Sequence, residues 1–196
     1  RLKTSGLMEA SDRELIGRYR GGDVEALSQL VAKHRGPLMG YIVNMTRQRH
    51  EADEVFQEVW FRAISKMGSY RQRNFPGWLM RIARNIVIDR ARKSRPGISL
   101  DAEQKGIRTS EKIGGNNPDP AERAEANDLG QRIAEAVRTL PGEQRETFVL
   151  RAHAGLPFKE IARLQKVSIN TALARMQYAL AKLRPLLKED YEALRE

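Results

Sequence analysis

The chain contains no cysteine, so neither a disulfide framework nor a thiolate metal site is available to it. Aromatic residues are scarce as well, with two tryptophans, five tyrosines and five phenylalanines among 196 residues, which makes each one a position to account for. No apolar run approaches the ~20 residues that a membrane-spanning helix needs. No signal peptide opens the chain, and the cytoplasm is the expected location. The first methionine is Met8, and RLKTSGL ahead of it is left out of the fold reading. The three histidines, His34, His50 and His153, lie far apart and form no helical His–Glu pair at metal-ligand spacing, so they are expected at the surface or its boundary. Gly114-Gly115 follows no strand and makes no phosphate-binding loop. No alternating apolar–polar run announces a sheet. An enzyme is therefore not expected, nor a metal or cofactor site.

Charge is abundant. The net formal charge is +10 and the sequence pI about 10.1, which points to a polyanionic partner. The excess is uneven: residues 1–97 carry 19 Lys and Arg against 10 Asp and Glu, residues 98–130 carry 4 against 7, and residues 131–196 carry 12 against 8. The basic surplus is concentrated in the first half.

Periodicity predicts an all-α chain of two small helical domains. Ser11-Asp-Arg-Glu14 fits a capping box, and Gly21-Gly22 stops the helix it opens. Asp23 caps a second helix that is expected to break at Gly36-Pro37. A third runs to about Thr46, a fourth from Glu51 to Met67, and a fifth begins near Pro76. Order then lapses: residues 97–118 are rich in Gly, Pro, Ser and Asn and read as a flexible linker. Helical spacing resumes at Asp119-Pro120. The expected domains are thus 8–96 and 119–188.

Three stretches carry the functional signal. FPGWLMRIARNIVIDRARK, Phe75 to Lys93, gathers Leu79, Met80, Ile82, Ala83, Ile86 and Val87 on one side. Arg81, Arg84, Asn85 and Arg92 gather on the other. A solvated face usually mixes charge signs; this one is nearly all cationic, with an amide and an indole beside it, and suits phosphates and unstacked bases. EADEVFQEVWFRAI, Glu51 to Ile64, is acidic within a basic region. Dipole complementation explains Glu51, Asp53 and Glu54. It does not explain Gln57, Glu58, Trp60 and Phe61 further along, and such a surface points to a protein partner. Finally, a helix over Phe158–Gln165, a turn at Lys166-Val167-Ser168 and a long helix from Ile169 have the helix-turn-helix outline. Its second helix is expected to bury Ala172, Leu173, Met176, Ala179, Leu180 and Leu183. Asn170, Thr171, Ala174, Arg175, Gln177, Tyr178, Ala181 and Lys182 would then face outward, a composition that suits base edges.

Assembled in this order, the three stretches make the chain resemble the extracytoplasmic-function (ECF) group of bacterial sigma factors from about Ser11 to Leu187. The resemblance implies a non-enzymatic transcription initiation factor that binds core RNA polymerase and directs it to promoters. It implies that Asp53, Glu54, Gln57, Glu58 and Phe61 meet the β′ clamp helices of polymerase, and that the β flap is a second contact. It implies a pocket for an unstacked base of the single-stranded minus-ten element, built from Arg71, Arg73, Asn74, Phe75 and Trp78. Arg81, Arg84 and Arg92 would hold phosphates beside it and Asn85 a base edge. Double-stranded minus-35 DNA would meet Lys166, Ser168, Asn170, Thr171, Ala174, Arg175, Gln177 and Tyr178. Leu173 and Tyr178 stand where the family often has basic residues, and Pro185 where its helix commonly continues. Family precedent also favours an inhibitory anti-sigma partner, with no membrane insertion. The competing readings are a helix-turn-helix regulator that binds duplex DNA without polymerase, and a helical adaptor with no nucleic-acid role.

Overall fold

The computed structural model describes residues 10–46, 48–71, 74–94 and 120–188, without the side chains of Arg49, Ser94 and residues 120–128. The predicted linker and Arg73 lie outside the described residues. Among these residues the fold is all α: α1 (Asp12–Arg20), α2 (Val24–Met45), α3 (Arg49–Met67), α4 (Phe75–Ser94), α5 (Pro120–Arg138), α6 (Gly142–Ala152), α7 (Phe158–Gln165) and α8 (Ile169–Leu186). None of the described helices is long and apolar enough to cross a membrane.

Local chemistry sets most of the boundaries. The Ser11 side chain accepts from the Glu14 amide while Glu14 reaches back to the Ser11 backbone, so two otherwise unpaired donors are satisfied. Gly21 closes α1, and Gly22 turns the chain at φ 98°, a conformation that disfavours other residues. Asp23 then caps α2 through the Ala26 amide.

The expected break at Gly36-Pro37 does not occur, and α2 runs straight through Pro37. Proline removes one backbone donor and ordinarily breaks a helix. Here Leu30 before it and Leu38, Tyr41 and Ile42 after it are all buried, so both halves gain more from a common core than the missing bond costs. His34, expected near the surface, is buried on the same face, 2.9 Å from Asp12 Oδ1 and against the Phe75 ring.

Helices α1–α4 pack around Leu30, Val55, Val59, Leu79 and Ile86, while α6–α8 pack around Leu150, Ile161, Ala172 and Leu183. The two groups touch where α2 meets α6, and their buried apolar residues form one connected core. At that crossing a β-carbon on Gly40 would lie 2.9 Å from His153 Nδ1, so glycine allows the approach with the imidazole where it is.

Candidate nucleic-acid interface

Helix α4 is anchored by its apolar stripe. Leu79, Met80, Ala83, Ile86 and Val87 are buried, which leaves Arg81, Asn85 and Arg92 exposed on the opposite side as the periodicity predicts. Asn74 opens the helix, its Oδ1 accepting from the Gly77 amide at 3.0 Å, which fixes the side chain at the start of α4. Phe75 is a correction. At 1% exposure it offers no face to a base, because it is the hub of an aromatic cluster, with Tyr70 at 5.6 Å, Trp78 at 5.5 Å and Trp60 at 6.4 Å between ring centroids. Trp78, half-buried beside it, is the aromatic that reaches the surface.

The loop into α4 is fastened from behind. Arg20 donates to the Met67 carbonyl at 3.0 and 2.6 Å and also to the Tyr70 carbonyl, while exposed Arg71 donates back to the Gly68 carbonyl at 3.1 Å. Burial, with the charge of Asp12 adding, pushes the Tyr70 hydroxyl up to about 12.

Arg84 is not free. It is half-buried, donating from Nε to Glu146 Oε1 at 2.9 Å and from Nη2 to Oε2 at 3.4 Å, across to α6. Tyr41 Oη donates to the same carboxylate at 3.1 Å, and burial together with the Glu146 charge raises the tyrosine well above its ordinary value.

Of the residues predicted to meet a protein partner on α3, Asp53, Glu54, Gln57 and Phe61 are exposed, with Glu58 half-buried among them. Phe61 is 73% exposed, whereas Trp60 is only 5% exposed and belongs to the core, so it drops out of the surface predicted for it. Arg90 of α4 donates to Glu54 at 2.8 Å and to Glu58 at 3.0 Å, and Arg62 closes the group onto Glu58 at 2.5 Å.

Helices α7 and α8 form the helix-turn-helix. Lys166 takes the left-handed conformation, φ 57° and ψ 43°, at the turn. Ser168 caps α8 through the Thr171 amide at 3.0 Å. Lys166, Ser168, Asn170, Thr171, Gln177 and Tyr178 are exposed, with Ala174 half-exposed. Two details of the predicted helical face are reversed. Leu173 and Leu180, expected inside, are 38% and 42% exposed. Arg175, expected outside, is half-buried, donating to Gln165 Oε1 at 2.9 Å and to Glu143. The buried side is rotated toward Ala172, Ala179 and Leu183 because α8 packs on both α6 and α7.

Residue types and spacing did not single out Arg20, Tyr41, Arg90 or Glu146. Their partners are distant in sequence, and each reads by itself as an ordinary helix-surface or core residue. The one available signal is Gly40, a helix-interior glycine that propensity disfavours and that marks a close approach.

Two helical groups, one with a cationic helix beside an acidic–aromatic one and the other ending in a helix-turn-helix, define a DNA-facing protein with a protein partner. Residues 30–96 match the Sigma-70 region 2 family and residues 130–183 the Sigma-70, region 4 family. The chain is 28% identical over 186 residues to the ECF RNA polymerase sigma factor SigW of Bacillus subtilis (strain 168), covering 93% of this chain and 100% of that one. It is 29% identical over 173 residues to the RNA polymerase sigma factor CarQ of Myxococcus xanthus, covering 88% and 95% respectively. Among solved structures it matches CnrH in complex with the cytosolic domain of CnrY, with a TM-score of 0.63 and 26% identity over 92% of this chain and 99% of that one. The sigma factor RpoE of Bartonella quintana, solved with the anti-sigma factor NepR, shares the fold, with a TM-score of 0.60 and 21% identity over 83% of this chain and 96% of that one. The chain belongs to the extracytoplasmic-function group of bacterial RNA polymerase sigma factors. It is accordingly a transcription initiation factor and not an enzyme.

Proposed function

We propose that each of the three surfaces has one partner. The exposed stripe of α3, Asp53, Glu54, Gln57, Glu58 and Phe61, docks on core polymerase at the β′ clamp helices. Arg81, Asn85 and Arg92, with Trp78, Arg71 and Arg73, take the single-stranded minus-ten element; Arg84 joins them once it leaves Glu146. The exposed residues of α7 and α8 read double-stranded minus-35 DNA, while the same domain touches the β flap. The domains are 8–96 and 119–188, joined by 97–118, and the protein works in the cytoplasm. An anti-sigma factor is a further expected partner, since CnrH is seen with the cytosolic domain of CnrY and RpoE with the anti-sigma factor NepR.

The observation that carries this reading is the separation of chemistries on adjacent helices. Phe61 is a large apolar side chain, 73% exposed on a helix that also presents Asp53, Glu54 and Gln57, an acidic–aromatic surface that suits a protein partner. One helix away, Arg81, Asn85 and Arg92 stand exposed on a helix whose one acid is Asp89, a cationic excess that suits phosphate binding. Transcription in vitro with purified core polymerase and promoter fragments tests the reading. Promoter-specific transcripts that depend on added protein are expected, and tight duplex binding without polymerase would point instead to a self-sufficient regulator.

A further inference from the structure

We infer that Gly40, Tyr41 and Arg84 form a docking surface for the chain's own C-terminal domain, which single-stranded promoter DNA must displace to reach Arg84. The inference rests on the minus-ten assignment above.

Glu146 sits at the centre. It is 7% exposed, and a carboxylate taken from water needs partners to offset its lost hydration. It has three: Tyr41 Oη at 3.1 Å, Arg84 Nε at 2.9 Å and Gln165 Nε2 at 2.9 Å. Two of the three come from the N-terminal domain. Such a buried pair is selective without being strongly stabilising, because separation returns both charges to water. The contact is therefore specific yet reversible. Gly40 adds steric fit, since a β-carbon there would crowd the His153 ring in its present position.

Competition follows from the guanidinium itself. The Nε and Nη2 edge of Arg84 that would fork onto a phosphate is already spent on Glu146. The same network runs on to the recognition helix. Gln165, which donates to Glu146, accepts from Arg175 Nη1 at 2.9 Å and from Thr147 at 3.0 Å. Arg84 and Arg175, one arginine from each DNA-facing surface, are thus held through one glutamine and one glutamate. In the docked form neither presents its full set of donors.

The absence of native cysteine makes the test direct. An ideal β-carbon on Gly40 lies 3.2 Å from His153 Cβ, slightly inside the roughly 3.5–4.5 Å of natural disulfides, so G40C/H153C needs only a small adjustment to cross-link. Mild oxidation of the free protein is expected to close the bond. The oxidised form should bind a fluorescent single-stranded minus-ten oligonucleotide at least about tenfold more weakly than the reduced form, because the competent state is no longer populated. It should also fail to direct core polymerase, with reductant restoring both activities. Two free, titratable thiols after oxidation would overturn the docking, as would a cross-linked protein as active as the reduced one. A second variant, Glu146→Gln, removes the charge but keeps the shape. It should bind the oligonucleotide several-fold more tightly, and Arg84→Ala should abolish that gain; unchanged binding would count against the competition. Cross-linking yield reports docking without DNA. A reduced protein that fails to direct polymerase would therefore sink the sigma reading and leave the docking standing.

Discussion

Arg90 on α4 grips Glu58 on α3 at 3.0 Å, so the helix proposed to meet promoter DNA is tied to the helix proposed to meet polymerase. The same guanidinium holds Glu54 at 2.8 Å. Exposed ion pairs contribute only ~0–1 kcal/mol each, so the tie is chiefly one of position. Burial raises the Glu58 carboxyl, but the bonds from Arg90 and Arg62 outweigh it and hold the group below its ordinary value.

Arg90→Ala should therefore move the Glu58 titration upward, as followed by carboxyl NMR. A depressed carboxylate contributes stability above the ordinary carboxylate range and loses it as pH falls through the folded value. The variant should be less sensitive than wild type to acidification in that window. A Glu58 titration that stays in place would break the link.

Phe61→Ala separates binding from folding. The side chain is 73% exposed, so its removal should change stability by no more than ~0.5 kcal/mol. If Phe61 anchors the polymerase interface, its loss should cost more than ~1 kcal/mol of binding, read by competition with another sigma factor for core enzyme. Glu58→Lys is a poorer test, since it also removes the partner of Arg90 and Arg62.

Arg175→Ala should impair initiation at double-stranded promoters carrying the minus-35 element and spare binding to a single-stranded minus-ten oligonucleotide. Asn85→Ala should do the reverse. Because Arg175 also rests on Glu143, Glu143→Ala should loosen it and make upstream binding more salt-dependent, by about one further phosphate contact. Identical behaviour of Arg175→Ala and Asn85→Ala on the two DNAs would remove the division of labour.

Ser168→Ala removes the cap of the recognition helix and should lower stability by ~1 kcal/mol in a denaturant titration. An unchanged midpoint would mean that packing of Ala172, Ala179 and Leu183 alone sets the start of α8.

Local rules were readable in advance wherever they were sufficient. The capping box at Ser11, the stop at Gly21-Gly22, the start of α5 at Pro120 and the bounds of α7 all depend on neighbours within a few residues. Long-range packing overrode them elsewhere. Pro37 lies inside a helix because residues on both sides of it reach one core. The buried side of α8 faces α6 and α7, with α5 adding a smaller contact, which leaves Leu173 in water and draws Arg175 inward. Phe75 is hidden by aromatics drawn from α3, the preceding loop and its own helix. The contact of Arg84 with Glu146 spans 62 positions, and no periodicity within either helix announces it.

The bare backbone at Gly40 has a consequence on another timescale. One base change in a glycine codon gives alanine, and the added methyl would press on the His153 side chain and loosen the contact between the two domains. The proposed restraint can thus be weakened by a single mutation that alters no residue proposed to meet DNA or polymerase. Selection can tune how readily the factor engages separately from which promoters it reads.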